Sequence, residues 1–280
     1  MAHNSETGTI AHEINQPRHS ASDWKKYLAK TEYETHPLAY APGIVNIVGG
    51  LGSGKSTLVF NLLQELSTII KEEHIGRVIY YSGSGQDAIL EAYDRDKVEI
   101  FDRRSKESFA SAIHDIMSGD EGGSSGGGET KGGSGGGETK DGGGGEKDGE
   151  TKKTKKRELK PLHIVVVDDA ITDADVLPQS IRSETPLSKL MMAARHVPCC
   201  IIITGQKYSG LPTFARANSS HTFVFKVKSP SEEKSIMNDI NFSRAETKRA
   251  LDSLSENSEF LWFQMHKRRI TKNFTQSVVH

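Results

Sequence analysis

Nine consecutive residues carry the most specific chemistry in the chain: Gly49, Gly50, Leu51, Gly52, Ser53, Gly54, Lys55, Ser56 and Thr57. From Gly49 to Ser56 they fit the spacing G-x-x-x-x-G-K-[ST], and each residue type has a physical reason to be there. Glycines lack the Cβ that would hold a phosphate away from backbone N–H groups, so the loop can wrap an anion. The lysine reaches the β- and γ-phosphates, and the hydroxyl after it ligates Mg²⁺. A second group lies at residues 163–169, where four consecutive β-branched residues run into Asp168 and Asp169. In this Walker B pattern Asp168 holds Mg²⁺ through its water shell. Asp169 stands where a glutamate usually polarises the attacking water and is one methylene shorter, so it reaches less far. The alternative is a strand followed by a solvated acidic turn. A third candidate is Gln206, just past the apolar run 198–204. A polar side chain at a strand tip beside the Walker B strand either contacts the γ-phosphate or the attacking water, or is an ordinary loop residue.

These groups need elements to hold them. Residues 44–48, Ile-Val-Asn-Ile-Val, precede the glycines and predict a buried parallel strand. Residues 57–66 follow with apolar positions at helical spacing, so a helix N-terminus points its partial positive charge at the loop. Further strands are predicted at 76–82, 98–101, 163–169 and 198–204, with helices at 88–93, after Ser105 as a capping residue, and from Pro186 to Arg195. Ser231 opens another helix with acidic residues in its first turn, and Ser243 with Glu246 is in capping-box register for the next. Residues 260–264 and 269–274 read as a closing β-hairpin around His266 and Lys267. Strands alternating with helices give an α/β fold with a mostly parallel sheet flanked by helices.

Composition bounds the rest. The chain has 280 residues with a net charge of −1, which suits one large α/β domain or two small ones and offers no global charge for binding nucleic acid. There is no apolar run of membrane-spanning length and no secretory leader pattern at the start, so neither a membrane segment nor secretion is expected. The two cysteines, Cys199 and Cys200, are neighbours inside an apolar run and read as buried strand residues in a reducing compartment rather than a disulfide or metal pair. Residues 1–42 form a polar N-terminal extension with a helix-compatible stretch at 22–30, where Trp24 either packs on the domain or stacks on a base or partner. Residues 119–157 are glycine-rich with a Gly-Gly-Glu-Thr-Lys near-repeat, and bury too little apolar surface to order, so they predict a disordered insert. The basic run 152–157 ending that insert is a solvated linker, an import signal or a nucleic-acid contact. A P-loop domain is therefore drawn over 43–275, interrupted by that insert, with a tail at 276–280.

Two later stretches narrow the family. Residues 190–206 place Arg195 just before the strand that ends at Gln206, and residues 211–225 carry Pro212, then Arg216-Ala-Asn218, before another core strand. This combination resembles the FtsK–HerA superfamily of DNA-pumping ATPases, and its compact order of motifs is most similar to the viral genome-packaging branch found in poxviruses, other large DNA viruses and Polinton/Maverick elements. The resemblance covers about residues 43–265 apart from the insert. It implies a RecA-like (ASCE) P-loop NTPase fold, with ATP and Mg²⁺ as ligands. By position, Lys55 and Ser56 would bind phosphate and metal, Asp168 the metal, Asp169 the attacking water, and Gln206 would be the polar sensor. Arg195 would act as a finger on the neighbouring subunit's γ-phosphate; read from the residues alone, it is a cation at a helix C-terminus. Arg216 is left between packing beside the site and an inter-subunit contact. The implied protein is an oligomeric, ring-forming ATPase that pulls double-stranded DNA into a capsid without reading its sequence. Capsid or portal and vertex proteins are its implied partners, and its place is inside the host cell and in the virion. Lys226 and Lys228, and the cluster from Lys267 to Arg269, are either DNA-facing or ordinary solvated charges. The rival classes are another P-loop enzyme, such as a small-molecule kinase or a GTPase, and a nucleotide-gated assembly scaffold. No N-K-x-D guanine reader follows the strand ending at Thr204.

Overall fold

The structure, a computed structural model, describes residues 43–84, 97–119, 160–180, 184–194, 196–274 and 276–279. The apolar run that precedes the glycine-rich loop forms strand β1 (Gly43–Val48). The loop leads into helix α1 (Lys55–Ile69), and the chain returns through β2 (Ile75–Ser82) and β3 (Val98–Asp102). Helix α2 (Lys106–Ser118) follows, then β4 (Leu162–Asp168), α3 (Pro186–Ala193) and β5 (Cys199–Gly205). A short helix α4 (Thr213–Ala217) precedes β6 (Ser219–Phe225), and helices α5 (Pro230–Asp239) and α6 (Arg244–Asp252) come before β7 (Phe260–Gln264), β8 (Arg269–Lys272) and β9 (Gln276–Val279).

The nine described strands form one sheet in the order β3-β2-β4-β5-β1-β6-β7-β8-β9. From β3 to β6 every pairing is parallel, and β7, β8 and β9 add on antiparallel. Parallel strands covered on both faces need apolar residues at consecutive positions. In β4, Val165 and Val167 enter one apolar layer with residues of α2, α3, α5 and α6, while Ile164 and Val166 enter the other with Leu58, Val59, Leu62 and Leu66 of α1. Cys199 and Cys200 divide the same way and are both buried as free thiols, as their apolar surroundings predicted.

Register decides where chemistry can gather. Val48 pairs with Gly205, and Ser82 with Asp168, so the strands' carboxyl ends finish level along one edge. Strand β5 lies between β1 and β4, which sets the residue after β5 between the glycine-rich loop and the two aspartates. Open α/β sheets bind ligands at this edge. No described helix is long and apolar enough to cross a membrane.

Several local readings hold and several need correcting. Pro186 stands at the start of α3 behind the Thr185 cap, and Ser243 and Glu246 form the reciprocal capping box of α6. Ser105 precedes α2, but its hydroxyl does not cap the helix; it donates to the Asp102 carboxylate and accepts from the Asp102 backbone N–H instead. The closing hairpin is shorter than expected: β8 stops at Lys272, and Asn273 and Phe274 both take positive φ, 49° and 66°, to turn the chain. The tail assigned to 276–280 is largely β9, paired antiparallel with β8, so the sheet runs past the boundary drawn at 275. A four-residue edge strand is too short for periodicity to announce it. The N-terminal extension with Trp24, the helix at 88–93, the basic run 152–157 and the glycine-rich insert beyond Gly119 lie outside the described residues.

Candidate active site

The glycine-rich loop wraps the carboxyl end of β1. A Cβ on Gly49 would stand 2.5 Å from Ser53 Oγ and 2.7 Å from Phe225 Cβ, so only glycine lets the turn press onto β6. Where a Cβ would stand at Gly50 or Gly52 nothing lies within 4 Å, and that face of the loop is open. Lys55 is folded back over the loop, its Nζ donating to the carbonyls of Gly49 at 2.9 Å and Gly50 at 3.1 Å. Its side chain is buried, and burial pushes its pKa below the ordinary lysine value against the pull of the Asp169 and Asp168 carboxylates. A buried ammonium short of countercharge is relieved by a bound anion. Ser53 Oγ, also buried, has no hydrogen-bond partner among the described residues. Helix α1 has no side-chain cap and no acidic residue in its first turn, so its positive end is not neutralised from within. Leu51 is 92 % exposed at the loop tip, and Thr57 is exposed on the first turn of α1. An open loop, a desolvated cation, an orphaned hydroxyl and a bare helix N-terminus together fit a polyphosphate.

Asp168 ends β4 with its side chain buried. Three hydroxyls from three elements converge on it. Ser56 Oγ, on α1, donates to Oδ2 at 3.1 Å; Tyr80, on β2, donates to the same oxygen at 2.5 Å; and Thr204, on β5, donates to Oδ1. Ser56 and Asp168 are therefore joined across the gap between the loop and β4, an all-oxygen donor pair of the kind Mg²⁺ prefers. Asp169 is half-buried and takes a left-handed backbone, φ 49°, which aspartate tolerates better than most residues. Its N–H donates to Thr204 Oγ1 at 3.0 Å, and its Oδ2 accepts from Gln206 Nε2 at 2.9 Å.

Lys55, Ser56, Asp168, Asp169 and Gln206 thus meet at one edge, although the sequence spreads them over some 150 positions. Arg195 lies outside the described residues. Arg216 is drawn into packing: its guanidinium pairs with Asp239, its Nε donates to the Leu211 carbonyl at 3.1 Å, and it lies over the Tyr208 ring. Sequence reasoning missed Tyr80 and Thr204. Thr204 had a signal, as a lone hydroxyl in an apolar strand; Tyr80, a hydroxyl in a core strand, had almost none.

A cleft opens beside the loop, lined by residues 49–51 and Ser53, by Gln206, and by Phe225, Lys226, Lys228 and Asn257. Lys226 and Lys228 are therefore at the same edge as the glycine-rich loop. The Lys267 to Arg269 cluster is at the opposite edge, because β7 runs antiparallel and pairs Phe260 with Phe225 but Gln264 with His221.

No family model matches the chain, and no curated protein matches its sequence. Solved structures match its fold. The genome packaging NTPase of Sulfolobus turreted icosahedral virus 2, bound to AMPPCP, aligns over 82 % of this chain and 96 % of its own, with a TM-score of 0.52 at 17 % identity. The same viral protein bound to ATP-gammaS gives a TM-score of 0.52 at 16 % identity over the same shares. The DNA-packaging ATPase of Sulfolobus turreted icosahedral virus gives a TM-score of 0.54 at 15 % identity, again over 82 % and 96 %. The chain has the fold of a P-loop NTPase, shared along nearly the full length of these packaging enzymes.

Proposed function

We propose that the protein is an ATP-hydrolysing motor that moves double-stranded DNA, in the manner of a viral genome-packaging ATPase. The observation that carries the ATPase part is the meeting of Lys55, Ser56 and Asp168 with the Asp169–Gln206 pair at the carboxyl edge of the sheet. The DNA part is supported by the FtsK–HerA motif order in the sequence and by a fold shared with packaging NTPases.

In this reading the loop N–H groups and Lys55 hold the phosphates, with the γ-phosphate toward Gln206 and Asp169. The nucleoside end then leaves toward Phe225, Lys228 and Asn257, along the cleft. Ser56 and Asp168 would hold Mg²⁺, which when bound neutralises charge on the phosphate oxygens. Asp169 orients a water for in-line attack and accepts its proton. Gln206 holds the Asp169 carboxylate, and from there its amide would also reach the water that Asp169 orients. Arg195 from a neighbouring copy would stabilise the charge that develops on the transferred phosphoryl, which makes turnover depend on assembly. Grip on DNA through phosphates makes translocation sequence-independent and salt-sensitive. Capsid or vertex proteins are the partners this role requires.

The test is ATP turnover with and without linear duplex DNA at several protein concentrations, with Lys55→Ala as the inactive control. Turnover per subunit that rises with both concentration and DNA supports the motor. Turnover that ignores DNA sinks it and leaves an ATPase or a nucleotide-gated scaffold. An Arg195→Ala protein that binds ATP and hydrolyses it normally would remove the trans-finger assignment.

A further inference from the structure

Strand β2 carries two adjacent tyrosines whose side chains alternate across the sheet, as successive strand residues must. Tyr80 and Tyr81 are both fully buried, and each ring delivers its hydroxyl to a different aspartate. Tyr80 reaches Asp168 Oδ2 at 2.5 Å on the α1 side. Tyr81 reaches Asp173 Oδ2 at 2.7 Å on the other side, where Lys106 also pairs with Asp173 at 2.7 Å.

The two bonds differ in what their acceptor does. Asp173 is met by a tyrosine and a lysine of its own chain, a closed structural pair. Asp168 would face the metal, and the side chains bonded to its carboxylate among the described residues are the hydroxyls of Ser56, Tyr80 and Thr204. Ser56 stands on the first turn of α1, on the far side of the gap from β4, and is itself one of the two groups that would hold the metal. Tyr80 and Thr204 come from strands on either side of β4 and cannot move without moving the sheet. They pin the carboxylate from both oxygens, so its orientation is set before a cation binds. Partners that orient a metal-holding carboxylate act on affinity through the geometry they impose.

Resting on the P-loop reading above, we propose that Tyr80 is a positioning residue of the Mg²⁺ site, its hydroxyl fixing the Asp168 carboxylate in the orientation that the metal requires. It touches neither nucleotide nor metal. A buried tyrosine that merely needs an acceptor for its hydroxyl would behave as Tyr81 does, so Tyr81 is the internal control.

The experiment measures equilibrium binding of a fluorescent ATP analogue, 2′/3′-N-methylanthraniloyl-ATP, as Mg²⁺ is raised from zero. It compares the full chain with Tyr80→Phe and Tyr81→Phe, both of which keep the ring in the core. Tyr80→Phe is expected to need about tenfold more Mg²⁺ for half-maximal gain in affinity. Its affinity without Mg²⁺ is expected to match the parent, which reports an intact phosphate loop. Tyr81→Phe is expected to overlay the parent at every Mg²⁺ concentration. The proposal is overturned if the Tyr80→Phe titration overlays the parent, or if Tyr81→Phe shifts it equally. A parent protein whose nucleotide affinity does not respond to Mg²⁺ would instead remove the P-loop reading, and this proposal with it.

Discussion

Gly83 follows β2 and looks dispensable in the sequence, yet the structure makes it a sensitive probe of Asp169. Its N–H donates to the Asp168 carbonyl at 2.7 Å, so the turn after β2 is stitched to the end of β4. A Cβ on Gly83 would stand 2.3 Å from the Asp169 carbonyl oxygen, 2.7 Å from its carbonyl carbon and 2.8 Å from Ala170 Cα. All three are backbone atoms, and none can swing aside as a side-chain tip would. Gly83→Ala must therefore displace the chain at Asp169 by about 1 Å to restore ordinary packing contact. Overpacking of this kind costs about 1–3 kcal/mol of stability.

The larger effect is expected on chemistry. Asp169 is held by the Thr204 and Gln206 side chains in a left-handed turn, and a shift of about 1 Å in a reacting group can lower turnover by about 100-fold. The glycine-rich loop follows β1, with β4 and β5 between it and the turn after β2, so metal-free ADP binding is expected to stay within about twofold of the parent. The assay combines urea unfolding, ADP titration and steady-state ATP hydrolysis corrected for the folded fraction. Corrected turnover equal to the parent, in a protein whose unfolding midpoint has dropped, would refute the reasoning: Asp169 would have moved without consequence and is not the group that orients water.

Other perturbations separate the remaining parts. Gln206 is exposed and bonded to Asp169, so Gln206→Ala should leave stability within about 0.5 kcal/mol while lowering ATP turnover by about 100-fold at unchanged ATP affinity; unaltered turnover would return Gln206 to the loop residues. Ser243→Ala removes one half of the α6 capping box and should cost about 1 kcal/mol in urea unfolding without touching hydrolysis. Glu259 is held down to about 2, chiefly by the Lys272 side chain and then by the backbone N–H of Glu256. A carboxylate whose folded pKa is depressed adds stability above its ordinary value of 4.5 that is lost as pH falls toward about 2. The stability advantage of the parent over Glu259→Gln, read by urea unfolding, should therefore be full near pH 6 and shrink by about pH 3; an advantage independent of pH would show that the Lys272 pair contributes nothing through charge.

What the sequence disclosed tracks how local each signal is. The glycine-rich loop and the Asp168–Asp169 pair were legible because each places fixed residue types at fixed spacing beside an apolar strand. The Ser243 capping box and Pro186 were legible because helix starts are settled within four residues. Ser105 misled because a serine before a helix has a competing local acceptor, and Asp102 three positions back takes its hydroxyl. Strand β9 has four residues, too few to show a period, and the turn before it is made by Asn273 and Phe274, of which phenylalanine gives no turn signal. Tyr80 was hidden by distance along the chain. Its partner is 88 positions away, and in a core strand its ring reads as apolar filling.

Sheet order supplies what spacing cannot. Lys55 and Asp168 would face each other across adjacent strands if β1 lay beside β4, with no room for a third group. Insertion of β5 between them opens that gap by one strand, roughly 5 Å, and delivers two side chains into it: Thr204, which binds both Asp168 and the Asp169 N–H, and Gln206, which binds the Asp169 carboxylate. Strand β5 thus fixes Asp168 from within the sheet and reaches Asp169 from its tip. Helix α3 and the chain segment that contains Arg195 lead directly into this strand. A push on that segment by a neighbouring copy would reach Gln206 along β5, whose buried residues leave it little freedom to absorb strain. If turnover depends on assembly as proposed, its physical route runs through one strand, and Gln206→Ala should uncouple turnover from protein concentration as well as slow it.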